Sequence, residues 1–569
     1  MPARTFGWVP SRAVRICALA VVLGVLATAC GSAGPTSNGV LAAGADGGIR
    51  FPDGSQFSPH PNQVALRSPL PTSATFTPGS ATLPNAVGTS RQGIRSMICR
   101  PDGTIDTGPL HPVWTPPCVA PFNGKNGGAT ARGVTADTIN VAYYVTSDAT
   151  LNTAVRQEGG CGTTACTADY VNAYLDWFSS YFQFYGRRLH VTFISGSGAD
   201  NDITAARHDA DTIAGRSPPV FAALNGPREA GAAYALELEK HGIMCFCTVS
   251  LPQTFYAAHS PYVWSWYMAS SQAYVHRAEY IGKRLARRRA AWAGSSAMKA
   301  RNRSFGLVWF DDELGSYGPG VDFFKKQLAK YGVALASTIR YVGVEGCQTD
   351  AAKIVLQLMQ ADVTSVMFAG DPLCPISLTK AAHAAGATWE WLISGSYLTD
   401  TNFFARLYDQ DQWSRAFGVS LEAPLAADGD WFQIYKQVRP EGIPKLDALD
   451  ALRQLIVFAT GIQMAGAKLT PWTFRAGMAR TRPSGGTVTV PRISYGPKVV
   501  QGTAMWDATA TDDMAEIWWD QSASVDDVTG WYRYVRGGHR YRWGSWPTSA
   551  PDVFDTAGTV LAYRAAPDQ

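Results

Sequence analysis

Charge is the first thing this sequence has little of: 17% of its 569 residues are charged, against the ~25% usual in soluble domains. The formal net charge is only +4. Without a strong positive field there is little to neutralise phosphates, so nucleic acid is not expected as a partner. Catalytic signatures are missing too. There is no Gly-x-Ser-x-Gly elbow, no His-Glu-x-x-His, no Walker loop and no Gly-x-Gly-x-x-Gly after a strand. The nine histidines contain no i,i+4 pair, which removes the simplest helical metal site. The expectation is a non-enzyme without cofactor or metal.

The first 29 residues contain no acid, but they hold Arg4, Arg12 and Arg15 ahead of an apolar run from Ile16 to Ala27. That run is too short for the ~20 residues a spanning helix needs, and it fits a secretory signal. It ends Leu26-Ala27-Thr28-Ala29-Cys30-Gly31-Ser32, which resembles a bacterial lipobox with Ala27 where Leu is commoner. The resemblance implies cleavage before Cys30 and lipidation of its sulfur, anchoring an extracytoplasmic protein to the membrane. Loss of the signal removes three positive charges, leaving +1.

Besides Cys17 and Cys30, eight cysteines remain, an even number suited to disulfides in an oxidising compartment. Cys99 with Cys118 and Cys161 with Cys166 are expected local closures; Cys347 and Cys374 are further candidates. Cys245 and Cys247 lie two apart in an expected strand, ~6.6 Å between Cα atoms, near the limit for a bond, and their partners stay open. A metal site there would need a second Cys pair at finger spacing, which is absent.

Residues 30–97, rich in Ser, Pro, Gly and Thr, read as a flexible tether. Beyond a lead-in, short strands alternate with helical patterns: Ile139–Val145, Leu189–Ile194, Val220–Leu224 and Ile243–Thr248, then Phe305–Phe310, Ala334–Val342, Ser365–Ala369 and Trp389–Ser394. Two βα series predict two α/β lobes with doubly wound parallel sheets. Ligands of such sheets bind beyond the carboxyl ends of the strands, which places a cleft between the lobes. The basic run Lys283–Arg289 reads as a solvated helix face. Near the end, Gly537-Gly538 between aromatic and basic residues signals an appended β-hairpin packed on a lobe.

Several stretches together carry a family likeness: Gly133-Val134-Thr135-Ala136-Asp137-Thr138-Ile139, Tyr262-Val263-Trp264, Asp311-Asp312 through Ser316-Tyr317-Gly318-Pro319-Gly320, and Ala465-Gly466-Ala467-Lys468-Leu469-Thr470-Pro471. They resemble type I periplasmic binding proteins, more narrowly the branched-chain amino acid or amide binding lipoproteins of ABC importers. The resemblance implies two lobes joined by three crossovers and closing on a small solute by hinge motion, with ABC permease and ATPase subunits as partners. It places a bilobal domain at 98–520, lobe one at about 138–260 and 396–480, lobe two at about 261–395 plus a later return, and a C-terminal extension at 521–569. It also implies ligand contacts from Asn225, Gly226, Thr248, Ser250, Tyr317 and Asp371. Thr248 and Ser250 have hydroxyls to donate to a carboxylate, Asp371 suits an ammonium, and Tyr317 can stack on an apolar body. Relatives commonly carry a hydroxyl residue where this chain has Arg228 and Glu229, so the resemblance implies an altered amino-acid carboxylate pocket and does not by itself fix an amino acid as the solute. A ligand-sensing or envelope lipoprotein using the same fold without transport is the alternative.

Overall fold

A computed structural model describes residues 98–567, apart from 108–109, 111, 120–121, 123, 149–151, 154–155, 157–159 and 501–502. The expected signal, Cys30 and the tether lie outside the described residues. A two-stranded ribbon, β1 (Ile98–Cys99) and β2 (Ile105–Asp106), opens the structure. Cys99 is bonded to Cys118 beside it, as expected.

Lobe one is built on β3 (Thr138–Val145), β4 (Arg188–Ser195), β5 (Ala222–Leu224), β6 (Met244–Phe246) and β7 (Val263–Trp264). Their order is β4-β3-β5-β6-β7, and every neighbouring pair is parallel. Lobe two repeats the arrangement with β8 (Phe305–Asp311), β9 (Leu335–Val342), β10 (Ser365–Ala369), β11 (Glu390–Ile393) and β12 (Ala416–Ser420). The order there is β9-β8-β10-β11-β12, again all parallel. Burial on both faces explains why β8 reads as the near-continuous apolar string Phe-Gly-Leu-Val-Trp-Phe. Strand alternation sends Leu307 and Trp309 into one core and Val308 and Phe310 into the other.

A ribbon of β13 (Gly496–Val500) and β14 (Thr503–Asp507) leads to β15 (Asp513–Val525), which pairs antiparallel with β12. Then β16 (Val528–Tyr534) and β17 (Arg540–Arg542) both pair with β15. The chain therefore passes between lobes three times: after β7, after β12 and before β15.

These positions correct the expected boundaries. The first passage lies beyond Trp264, since β7 belongs to lobe one, and the second lies beyond Ser420 rather than at 395/396. Lobe one then recovers the helices Asp430–Val438 and Ala448–Ala465, which pack on the helix Thr164–Tyr181. Tyr174 Oη donates to Trp431 O at 2.8 Å and Trp177 Nε1 to Gln437 Oε1 at 2.9 Å across that seam. The C-terminal residues are no appendage either, because β15 straddles the expected 520/521 boundary and extends the lobe-two sheet. Its hairpin turn is Asp526-Asp527, both at positive φ (49° and 63°), the backbone of a type I′ turn. Gly537-Gly538 instead sits in the short helical link between β16 and β17.

The basic run is not simply a solvated face. Arg284 is 0% exposed and donates to Glu516 Oε2 at 2.9 Å. The sequence cannot show this, because Glu516 stands 232 residues away on β15.

Gly418 explains why β12 escapes a periodicity reading. It holds φ 156°, and a Cβ there would stand 2.1 Å from Ile393 O of β11. A strand with a glycine at its centre scores poorly by propensity, yet here it marks close backbone approach. Gly418→Ala is expected to destabilise the protein by about 3 kcal/mol, measured as a shift in urea midpoint with unchanged m value.

Candidate functional site

The carboxyl ends of the two parallel sheets carry the loops that meet between the lobes. From lobe one come residues 225–229 after β5 and 248–250 after β6; from lobe two come Tyr317, Asp371 and Tyr397, after β8, β10 and β11.

Tyr317 is the residue most plainly shared between lobes. It packs against the core of lobe one and both cores of lobe two, and its hydroxyl donates to Val249 O at 3.4 Å. Gly320, in the helix that follows, would press a Cβ to within 2.8 Å of Ser270 Oγ, so this wall is tightly seated.

The other expected residues divide. Asn225, at φ 59°, uses its side-chain amide to donate to Tyr144 O at 3.0 Å, and so shapes the turn. Gly226 lets the turn pass the Cys245–Cys247 disulfide, since a Cβ would meet Cys247 Cβ and O at 3.0 Å each. Thr248 is directed inward, with Oγ1 3.0 Å from Tyr256 Oη. Ser250, half-buried at φ 43°, follows Val249, whose carbonyl accepts from Tyr317 of lobe two. Asp371 caps a helix: Oδ1 accepts from Leu373 N and Cys374 N at 2.8 Å each, while Oδ2 accepts from Tyr341 Oη at 2.5 Å. Burial pushes its carboxyl up, partly offset by those donors.

All four expected or open thiol pairs are settled: Cys99–Cys118, Cys161–Cys166, Cys245–Cys247 and Cys347–Cys374. Cys247 lies just past the end of β6, so its Cα comes to 5.2 Å from that of Cys245, closer than an extended strand allows. Cys347–Cys374 ties together the starts of the helices Gly343–Gln360 and Cys374–Ala384, both at the lobe interface.

Arg228 and Glu229, not among the expected contact residues, also stand at the lobe interface. The Arg228 guanidinium stacks over the Tyr397 ring at 4.8 Å, joining the two lobes, and makes no hydrogen bond or ion pair among the described residues. Tyr267, on the first crossover, meets the Tyr397 ring edge-on at 6.4 Å. Behind Arg228, Asp447 accepts from Cys161 N at 3.1 Å and Tyr170 Oη at 3.2 Å. Burial pushes Asp447 and Asp450 up, and the charge of Arg228 draws both partly back. Glu229, meanwhile, faces the Val344 amide at the start of a lobe-two helix. Locating the end of β5 and of β11 is the signal that would have singled out Arg228, Glu229 and Tyr397, each within a few residues of a strand terminus.

Two parallel sheets of order 2-1-3-4-5 with three passages between them decide the architecture. The two lobes have the type I periplasmic binding fold. No protein-family model matches the sequence, and no curated protein does. Solved structures similar to it include a leucine-, isoleucine-, valine-, threonine- and alanine-binding protein from Brucella ovis in closed conformation, at 13% identity and TM-score 0.49, covering 73% of this chain and 98% of that one. Another is a fatty acid ABC transporter substrate-binding protein from Thermomonospora curvata, at 15% identity and TM-score 0.48, covering 75% and 99%. A third is an ABC transporter solute binding protein from R. palustris in complex with 4-hydroxybenzoate, at 11% identity and TM-score 0.47, covering 71% and 97%.

Proposed function

We propose that this bilobal chain is an extracytoplasmic, lipid-anchored solute-binding protein. It captures a small polar or amphipathic solute, such as an amino acid, an amide or a related compound, between its lobes and delivers it to an ABC permease. The observation that carries this reading is the convergence of loops from the carboxyl ends of both sheets on one interlobe surface, with Arg228 and Tyr397 stacked across it. The lipobox-like Leu26–Cys30 and four disulfides among the described residues support the location. Among the described residues, no helix is long and apolar enough to cross a membrane.

Thermal unfolding over a panel of amino acids, amides and small acids tests the reading. A solute at one hundred times its Kd adds ~2.7 kcal/mol, visible as a clear rise in Tm; a panel without any stabilising solute argues against capture. For the solute that stabilises most, Arg228→Ala is expected to weaken affinity about 2- to 30-fold. That range follows from losing a cation–π contact of ~0.5–2 kcal/mol that holds the lobes together, and calorimetric titration measures it. Unchanged affinity would remove Arg228 from the site.

A further inference from the structure

We propose that the lobe interface is a proton-binding site. When the lobes close, Glu229 takes up a proton, so acid favours closure and base favours opening and solute release. This rests on the solute-trap reading above and adds a condition under which the trap shuts.

The geometry is a set of carboxylates gathered from both lobes around one side chain. Glu229, from lobe one, reaches the Val344 amide at the start of the lobe-two helix Gly343–Gln360, whose first turn also carries Glu345. Asp200 Oδ2 accepts from the backbone N–H groups of Arg228 and Glu229 at 2.9 and 3.2 Å. Asp148, in the loop after β3, accepts from Asp200 N at 3.2 Å. Asp371 faces from the loop after β10, and the phenols of Tyr341 and Tyr317 face from β9 and from the loop after β8. Arg228 is the neighbouring cation. Its charge bears on Asp200, while its guanidinium is turned to Tyr397. The charges that bear most on Glu229 are acidic: Asp371, Asp200 and Asp148.

Two oxygens in this set, Glu229 Oε2 and Asp200 Oδ1, are shut off from solvent and have no hydrogen-bond partner. Asp200 is 8% exposed. A buried carboxylate oxygen left without a donor is costly. A proton removes the charge that makes such an oxygen costly, and the acidic surroundings favour its uptake. With the lobes in contact as they are here, burial, reinforced by the three acids, pushes the Glu229 carboxyl from 4.5 up to about 9.

The sign follows from linkage. A carboxyl freed by opening returns toward its ordinary value, so the closed state binds more protons wherever pH lies between 4.5 and about 9. Across that window the ratio of closed to open protein falls about tenfold per pH unit as pH rises.

Solution scattering of the solute-free protein from pH 5.5 to 9 tests this, with circular dichroism confirming that every sample is folded. The wild type is expected to be compact at low pH and to expand as pH rises, while Glu229→Gln stays compact throughout. Infrared difference spectra at pH 7.5 supply a second readout: the carbonyl stretch of one protonated carboxyl is present in the wild type and gone in Glu229→Gln. A pH-independent wild type, a variant with the wild-type pH response, or identical carbonyl bands in the two proteins would each overturn the proposal. No solute enters the experiment, so failure of the solute panel and failure of proton uptake are separate results.

Discussion

Arg284→Met is expected to cost about 3–5 kcal/mol of stability, the largest loss from any single change considered. Arg284 and Glu516 are both 0% exposed, and the guanidinium also donates to Ala550 O at 2.7 Å. Removing the cation strands a carboxylate inside the lobe-two sheet, which is costlier than never having buried the pair. The pH dependence gives the loss a signature. Burial already pushes Glu516 up from 4.5 to about 7, with Arg284 drawing it back down. The folded wild type therefore binds more protons than the unfolded chain between those values, and this site weakens the fold as pH rises through them. Without Arg284 the carboxyl titrates higher still. Urea melts should show a larger deficit for Arg284→Met at pH 8 than at pH 5, and Glu516→Leu added to it should restore most of the loss. An equal deficit at both pH values would show that lost packing, not charge, is responsible.

Replacing Cys347 and Cys374 together by alanine is expected to cost about 3.5 kcal/mol, from the chain-entropy relation applied to a separation of 27 residues. Both cysteines are fully buried, so the alanines also leave small voids. The bond lies at the lobe interface where capture is proposed, one residue from Pro375 and three from Asp371 at one end and three from Val344 at the other. The double variant should therefore unfold at lower urea and also bind solute more weakly, because the two helix starts that face lobe one lose their tie. A variant with normal stability would show that the bridge contributes nothing to the fold.

The alternation of strands and helices was readable because β3, β8 and β10 are short apolar runs between helical patterns. The fifth strand of each lobe was not. β7 has two residues, and β12 carries Gly418 at its centre, so neither shows a period. The end of the chain misled for a different reason. A Gly-Gly pair is a sound hairpin signal, but the turn was made by Asp526-Asp527 instead, and only pairing with β12 reveals that β15 belongs to the main sheet.

The site was legible as loops and less so as side chains. Tyr317 and Asp371 come to the lobe interface, yet Asp371 is engaged as a helix cap, and Thr248 is drawn inward by Tyr256. Nothing in the sequence around Arg228 and Glu229 distinguishes them from other charged residues ahead of a helix. What distinguishes them is distant in sequence: Tyr397 under the guanidinium, and Asp371 and Val344 around the carboxyl.

The central claim is that solute is held between the facing strand ends and that the lobes close over it. Distance measurement between probes placed at exposed Lys240 on lobe one and exposed Lys353 on lobe two, with and without the most stabilising solute, tests it most directly. The account predicts a shift to one short, narrow distance on saturation, reduced in Arg228→Ala and Tyr317→Ala. A distance unchanged by bound solute, or closure indifferent to both substitutions, would contradict it.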